Sequence, residues 1–229
     1  MKSDSKTTEY DKIISFLFKK KYVTNENERE LDFTKDEIVE TAQQLNIVLR
    51  NPPDVVYTYR CRRALPADIL STGGWILVPK GKGRFSFCRT ERSSFIEVQE
   101  GLAQIEILNA VPEIVEKYTS NDEQGLLSVI RYNRLIDIFT NIACFHLQSH
   151  IRTTIADEGQ IEIDDLYAGI DDDGNEYILP VEAKSPDERD KLGWFQVANL
   201  VRYANQCFPK LKCRPIAAKP FERNLVCLM

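Results

Sequence analysis

The sequence predicts an α/β protein in which a mixed sheet flanked by helices follows a smaller helical module with a hairpin. Three observations carry this expectation. Helical spacing and capping signals dominate from Thr8 to Arg63. A basic, glycine-bearing turn then separates two short β-rich runs between Trp75 and Phe87. Finally, a long apolar-periodic stretch from Asp122 leads into two strand-like runs joined by an acidic turn, with an amphipathic helix after them.

In chain order, residues 8–22 read as a helix because Ile13, Ile14, Leu17 and Phe18 recur at helical spacing. The polar stretch Thr24 to Glu30 breaks it. Thr34-Lys35-Asp36-Glu37 is a capping box: a hydroxyl at the N-cap, a carboxylate three residues on. It opens a second helix through Ile38, Ala42 and Leu45. Asn51-Pro52 starts a third, Val55 to Arg63, since Asn is a favoured N-cap and Pro fits the first turn. This helix carries Tyr57, Tyr59, Arg60, Arg62 and Arg63. Trp75 to Pro79, the turn Lys80-Gly81-Lys82-Gly83, and Arg84 to Phe87 form strand, turn, strand.

Ser94 to Leu108 is expected to hold short strands, and Ala110 to Tyr118 a short helix. Asp122 to Gln148 reads as one or two core helices, broken near Thr140, with Asp122-Glu123 suited to the positive end of the helix dipole. Gly159 to Ile170 and Tyr177 to Lys184 read as strands around the turn Asp171 to Asn175. Trp194 to Phe208 reads as a helix with Phe195, Ala198, Leu200, Val201 and Ala204 inward. Lys212 to Ala218 is a last strand. The expected organisation is 1–92, 93–121 as a linking region, and 122–229.

Composition bounds the function classes. The chain has 229 residues, 43% apolar and 28% charged, so a packed core is expected and global disorder is not. No apolar run reaches the roughly 18 residues of a membrane span. The start Met1-Lys2-Ser3-Asp4-Ser5-Lys6 lacks an apolar stretch behind a basic end, which argues against a secretory signal and for a cytoplasmic protein. The six cysteines form no C-x-x-C pair, so reduced thiols are expected rather than zinc ligands or disulfides. With only two histidines and no His-x-His, zinc-hydrolase and HNH chemistry are disfavoured. No G-x-x-x-x-G-K-[ST] loop is present, so no nucleotide cofactor is expected. The acidic turn lacks the spacing of a calcium loop.

Net charge is −5, which alone does not suggest a nucleic-acid binder. Its distribution does. Between Tyr59 and Arg92 lie Arg60, Arg62, Arg63, Lys80, Lys82, Arg84, Arg89 and Arg92, against only Asp68 and Glu91. Glu158 to Asp190, by contrast, is rich in acids. A basic module beside an acidic one suits a phosphate-binding surface plus a cation site.

The chemistry-bearing residues are Glu162-Ile163-Asp164-Asp165 and Pro180-Val181-Glu182-Ala183-Lys184. On a strand, side chains two apart share a face. Glu162 and Asp164 therefore share one, Glu182 and Lys184 share another, and Ile163, Val181 and Ala183 turn to a core. A hairpin can set Asp164 beside Glu182, where two carboxylates repel unless a cation joins them. Hard oxygen ligands select Mg²⁺, with Mn²⁺ able to substitute. Taken alone, Glu182 and Lys184 read equally well as a solvated surface ion pair.

At these residues the sequence resembles the PD-(D/E)xK nuclease superfamily, whose core is a helix, strands carrying Asp and then Glu-x-Lys, a helix and a further strand. The order Asp164 … Glu182-Ala183-Lys184 matches, as does the helical stretch before it. The resemblance spans residues 122–219 and implies a restriction-endonuclease-like fold, metal ligands at Asp164 and Glu182, a catalytic lysine at Lys184, and a supporting glutamine at Gln196. The usual proline before the first acid is Ile163 here. That leaves Asp164 against Asp165 open, with Asp164 preferred because Glu-Ile-Asp resembles a recurring family variant. Arg131 to Phe139, Leu147 to Thr153 and Gly159 to Asp164 further resemble bacterial restriction-type endonucleases. Three helices before a basic hairpin resemble a winged helix-turn-helix over residues 8–90.

These resemblances imply a Mg²⁺-dependent endonuclease acting on double-stranded DNA, of type II-like restriction character and active as a homodimer. Tyr57, Tyr59, Arg60, Arg62, Arg63, Lys80, Lys82, Arg84, His150 and Arg152 are the candidate DNA contacts. The alternatives are a junction-resolvase-like repair nuclease, or a winged-helix regulator that binds DNA without cutting it.

Overall fold

A computed structural model describes residues 8–23, 28–91, 95–98, 101–155, 159–188, 190–222 and 225–229. The protein is mixed α/β, with a mixed sheet flanked by helices and a separate small antiparallel sheet. It divides into two compact units, residues 1–94 with 156–159 and residues 95–155 with 160–229.

In the first unit, α1 (Glu9–Tyr22) opens on a Thr8/Asp11 capping box and α2 (Lys35–Gln44) on the Thr34/Glu37 box. Between them lies β1 (Glu30–Thr34), a strand the sequence pattern does not announce. Leu31 and Phe33 are its two inward residues, too short an alternation to read alone. It closes a three-stranded sheet in the order β1-β3-β2, against β2 (Trp75–Pro79) and β3 (Arg84–Arg89). The turn between β2 and β3 has positive φ at Gly81, Lys82 and Gly83, which explains its two glycines. The third helix is α3 (Pro52–Tyr57), which widens into a π-helical turn over Thr58–Arg62. A short α4 (Ala67–Leu70) follows. Ile13, Ile14, Leu17 and Phe18 pack with Phe33, Ile38, Val55, Trp75 and Phe87 into one core. Each such side chain contributes about 1.5–3 kcal/mol on burial.

The second unit begins irregularly. Phe95 forms an isolated bridge with Gly193, and the described residues between 95 and 108 hold no strand, contrary to expectation. Then come α5 (Glu113–Tyr118), α6 (Glu123–Tyr132) and α7 (Leu135–Thr140). Left-handed conformations at Arg134 and Asn141 end α6's run and then α7's. The expected helical stretch to Gln148 is therefore corrected: Ala143–Ile155 is a strand, β4. Ile142 and Cys144 point inward while Phe145 and Leu147 are exposed, so apolar spacing that mimicked a helix belongs to two different elements. β5 (Gly159–Ile170), β6 (Glu176–Ala183), α8 (Trp194–Cys207), β7 (Lys212–Cys213), β8 (Ile216–Glu222) and β9 (Leu225–Leu228) complete the chain.

The sheet order is β4-β5-β6-β8-β9, with β7 beside β6. β5 and β6 are antiparallel, β6 and β8 parallel. One face packs Leu127, Ile130 and Ile136 against Leu179, Val181, Ala183 and Ala218. The other packs Leu200, Tyr203 and Ala204 of α8 against Ile151, Ile163, Leu166 and Ile178. Among the described residues no helix is long and apolar enough to cross a membrane. The five cysteines whose side chains are described are free.

Candidate functional site

The site lies where β5 and β6 part. Their register runs from Ile170↔Glu176 to Asp165↔Val181, so Asp164 and Glu182 are the next positions. There the ladder changes: the Ala183 N–H donates to Asp164 Oδ2 at 2.7 Å, a carboxylate standing where a strand carbonyl would otherwise accept. Alternation on β5 slips at the same place. Ile163 and Leu166, three residues apart, both join the α8-side core, so the expected grouping of Ile163 with Val181 and Ala183 does not hold. A one-residue slip of this kind re-aims a side chain at the end of a ladder. On β6, Val181 and Ala183 face α6 and α7, which leaves Glu182 on the α8 side.

Glu182 is buried at 7% exposure and Lys184 at 6%. Lys184 Nζ donates to Glu182 Oε1 at 2.8 Å, and the Gln196 amide donates to the same oxygen. Gln196 also accepts from the Gly193 N–H at 3.1 Å, so it caps α8 while reaching the glutamate. Asp190 Oδ1 lies 3.7 Å from Lys184 Nζ. The structure therefore gathers Asp164, Glu182, Lys184 and Gln196 in one place.

It adds Glu123, which the sequence reading assigned only to a helix dipole. Burial, then the Asp164 charge, push the Glu123 carboxyl up to about 7, with Lys184 opposing. Its first-turn position on α6, beside a helix N-cap at Asp122, gave no sign of its hydrogen bond with Asp190 or its closeness to Asp164 and Lys184. Burial likewise pushes Glu182 up to about 7 against the pull of Lys184, with Asp164 and Glu123 adding repulsion. Asp164 is raised too, first by burial, while the Ala183 hydrogen bond and Lys184 lower it. Burial works to lower Lys184, but Glu182, Asp190 and Glu123 together hold it above its ordinary value. Lys184 is thus a fixed cation at neutral pH, able to donate and unable to act as a base.

Asp165 has a different role. It is fully buried and faces α6, where Arg131 Nη2 lies 2.7 Å from Oδ2 and Tyr167 donates at 3.3 Å. Ser149 Oγ donates to Oδ1 at 2.5 Å, and His146 Nε2 lies 3.2 Å from the same oxygen. His146, Ser149 and Asp165 do not form a nucleophilic triad, because one ring nitrogen, Nε2, meets both partners. Between the two aspartates left open by the sequence, Asp164 belongs to the cluster and Asp165 is a satisfied structural carboxylate.

Among the described residues no group of three or more His, Cys, Asp and Glu side chains is arranged to hold a metal ion. The donor set instead offers carboxylates whose ionised forms are disfavoured together, a condition that a cation relieves. Mg²⁺ commonly takes one or two carboxylates and completes its shell with water and phosphate oxygens. Asp164 and Glu182 fit that requirement.

Of the remaining candidates, His150 lies close enough to Asp164 to lower its carboxyl, beside Glu162, which raises it, and the others lie apart. His150 and Arg152 sit on β4, where His150 Nδ1 is 3.8 Å and Arg152 Nε 3.4 Å from Glu162 Oε1. Glu162 is thereby drawn into an exposed strand pair. In the first unit Tyr59 is 1% exposed and its hydroxyl donates to Asp11 at 2.7 Å. Arg63 turns inward to Thr8, Asp11 and Tyr59. As a base or phosphate contact Tyr59 is therefore corrected to a packing role, while Arg63, its side chain 35% exposed, is tethered to α1. Tyr57, Arg62, Lys82 and Arg84 are exposed, Arg60 is half-buried, and Lys80 pairs with Glu30 at 2.7 Å. Comparison of the chain with family models, with curated proteins and with solved structures found no match.

Proposed function

We propose that the protein is a Mg²⁺-dependent DNA endonuclease that hydrolyses phosphodiester bonds at Asp164, Glu182 and Lys184. The observation that carries this reading is the buried Lys184–Glu182 pair set against Asp164 at the parting of β5 and β6. The element order supports it: helix, three strands, helix and a parallel strand, with Asp on the second strand and Glu-x-Lys on the third, as the PD-(D/E)xK resemblance implies. The first unit supports a winged-helix-like DNA reader through its helix, strand, helix, helix, hairpin order, with the short α4 before the hairpin, and the closure of β1 on β3.

A divalent cation at this site would supply Lewis acidity toward a phosphoryl oxygen and make a bound water more acidic. The chain's own groups do the rest. Asp164 and Glu182 would hold the ion, Glu182 from a buried position and Asp164 from a half-buried one. Lys184, protonated throughout the neutral range, donates to the phosphate oxygen or the attacking water and offsets charge in the transition state. Gln196 fixes the Glu182 oxygen. Glu123, whose carboxyl is raised by burial and by the Asp164 charge, is the remaining carboxylate of the cluster and would take the proton of that water. Cutting both strands of a duplex calls for two such sites, which a symmetric homodimer supplies.

A second reading, DNA binding without cleavage, is favoured by one observation: Glu182 Oε1 is occupied by both Lys184 and Gln196. One experiment separates them. Purified protein is incubated with supercoiled plasmid and Mg²⁺, beside Asp164→Asn and Lys184→Ala. The endonuclease reading expects nicked or linear product from the wild type and at least about a hundredfold slower cutting by both variants. Binding without cutting by all three would leave only the regulator.

A further inference from the structure

The fold sorts the arginines that follow Tyr57. Arg63 is spent on α1, as described above. Arg62 points outward with its side chain 63% exposed, yet it is held on two sides. Its guanidinium lies over the Tyr57 ring, 5.0 Å from the centroid, and Nη1 is 3.7 Å from Asp54 Oδ1. Asp54 is itself fixed by Tyr10, whose hydroxyl donates to Oδ2 at 3.0 Å.

This arrangement depends on the π-helical turn. Residues five apart lie about 140° apart around an α-helix and do not meet. Over Thr58–Arg62 the backbone widens, as in the Arg63 N–H to Thr58 carbonyl bond of 3.0 Å, and five-residue neighbours come nearly into line. Tyr57 and Arg62 then stack. A widened turn forgoes regular hydrogen bonding, and such turns concentrate at functional positions.

We propose that Arg62 reads a guanine edge in duplex DNA, with Tyr57 and Asp54 as positioning residues. This deepens the proposed function and rests on it only in that DNA must reach this unit. A phosphate accepts from almost any direction and rewards net charge, which Asp54 diminishes. A guanine edge is neutral and planar and offers two acceptors, O6 and N7, in fixed positions. A guanidinium whose orientation is set beforehand loses less side-chain freedom on meeting such an edge. Lys82 and Arg84, exposed on the β2–β3 turn, are better placed as orientation-tolerant phosphate contacts.

The test is selection of bound duplexes from a randomised pool by the full chain in EDTA, so that nothing is cut. Wild type, Arg62→Ala, Arg62→Gln, Asp54→Asn and Lys82→Ala are compared, with thermal melting to establish folding. The wild type should enrich duplexes with a fixed guanine by about 10- to 100-fold over other bases at that position. Arg62→Ala and Arg62→Gln should lose that preference while keeping non-specific affinity within a few-fold. Asp54→Asn should weaken the preference without changing the salt dependence. Lys82→Ala should weaken all sequences alike. A guanine preference that survives in Arg62→Ala, or a uniform affinity loss with a shallower salt slope, would overturn the assignment and make Arg62 a phosphate contact. Wild type that binds DNA but fixes no guanine would overturn it while leaving the nuclease reading standing. Wild type that binds no DNA in EDTA would overturn it, while the plasmid assay with Mg²⁺ decides the nuclease reading separately.

Discussion

Glu182→Gln should make the metal-free protein more stable at alkaline pH while destroying its proposed activity. The buried carboxyl has its folded pKa raised to about 7 from an ordinary 4.5, with burial as the first cause. A group raised on folding binds its proton more tightly in the native state. Its contribution is fully present below about 4.5 and is lost as pH rises through about 7. A shift of that size corresponds to about 3 kcal/mol in full, of which some 2–3 kcal/mol is lost between pH 5 and pH 8. Glutamine keeps the shape and cannot ionise, so that slope should flatten. Lys184 keeps Asp190 and Glu123 nearby, so its charge is not abandoned. The assay is denaturant or thermal unfolding of both proteins in EDTA at pH 5 and pH 8. The variant should match the wild type within about 1 kcal/mol at pH 5 and exceed it by about 1–3 kcal/mol at pH 8, or several degrees in Tm. Equal pH slopes for the two proteins, or a variant less stable at pH 8, would refute the claim that Glu182 is held there at a cost.

Asp165→Ala removes the acceptor of Arg131, Ser149 and Tyr167 and should cost about 2–4 kcal/mol in urea unfolding, whereas Asp164→Asn should cost little and abolish cleavage; the reverse pattern would exchange their roles. Gly125→Ala would set a Cβ 1.9 Å from the Ser120 carbonyl oxygen and should lower stability by more than about 2 kcal/mol, with reduced cleavage because the same turn of α6 carries Glu123. Tyr59→Phe should destabilise by about 1–2 kcal/mol through loss of the bond to Asp11, with DNA affinity unchanged once folding is allowed for; a selective loss of affinity would return Tyr59 to the DNA surface.

Much of the fold was legible because local chemistry and tertiary packing agree. The Thr34/Glu37 capping box opens α2, β5 keeps its expected bounds, and α8 ends one residue short of its expected end. The acidic turn is organised by Asp171, which accepts from the Asp173 and Asn175 amides. What escaped depends on partners distant in sequence. β1 exists because β3 receives it. β4 was hidden because Ile138, Phe139, Ile142 and Phe145 mimic helical spacing across the left-handed residue Asn141. Of the site, Asp164, Glu182, Lys184 and Gln196 were readable as strand positions and a following helix. Glu123 was not, because only the packing of α6 on the sheet brings it to the cluster. Tyr59 misled because polarity on a helix does not reveal which face is turned inward.

If Asp164 and Glu182 share one divalent cation while Lys184 acts on the substrate, Mn²⁺ titration of the purified protein at pH 8, followed calorimetrically or by the loss of free-ion magnetic resonance, will show it. Wild type and Lys184→Ala should both bind the ion, with Asp164→Asn and Glu182→Gln weakened at least about tenfold. Unaltered binding in the two carboxylate variants would exclude an ion shared by Asp164 and Glu182.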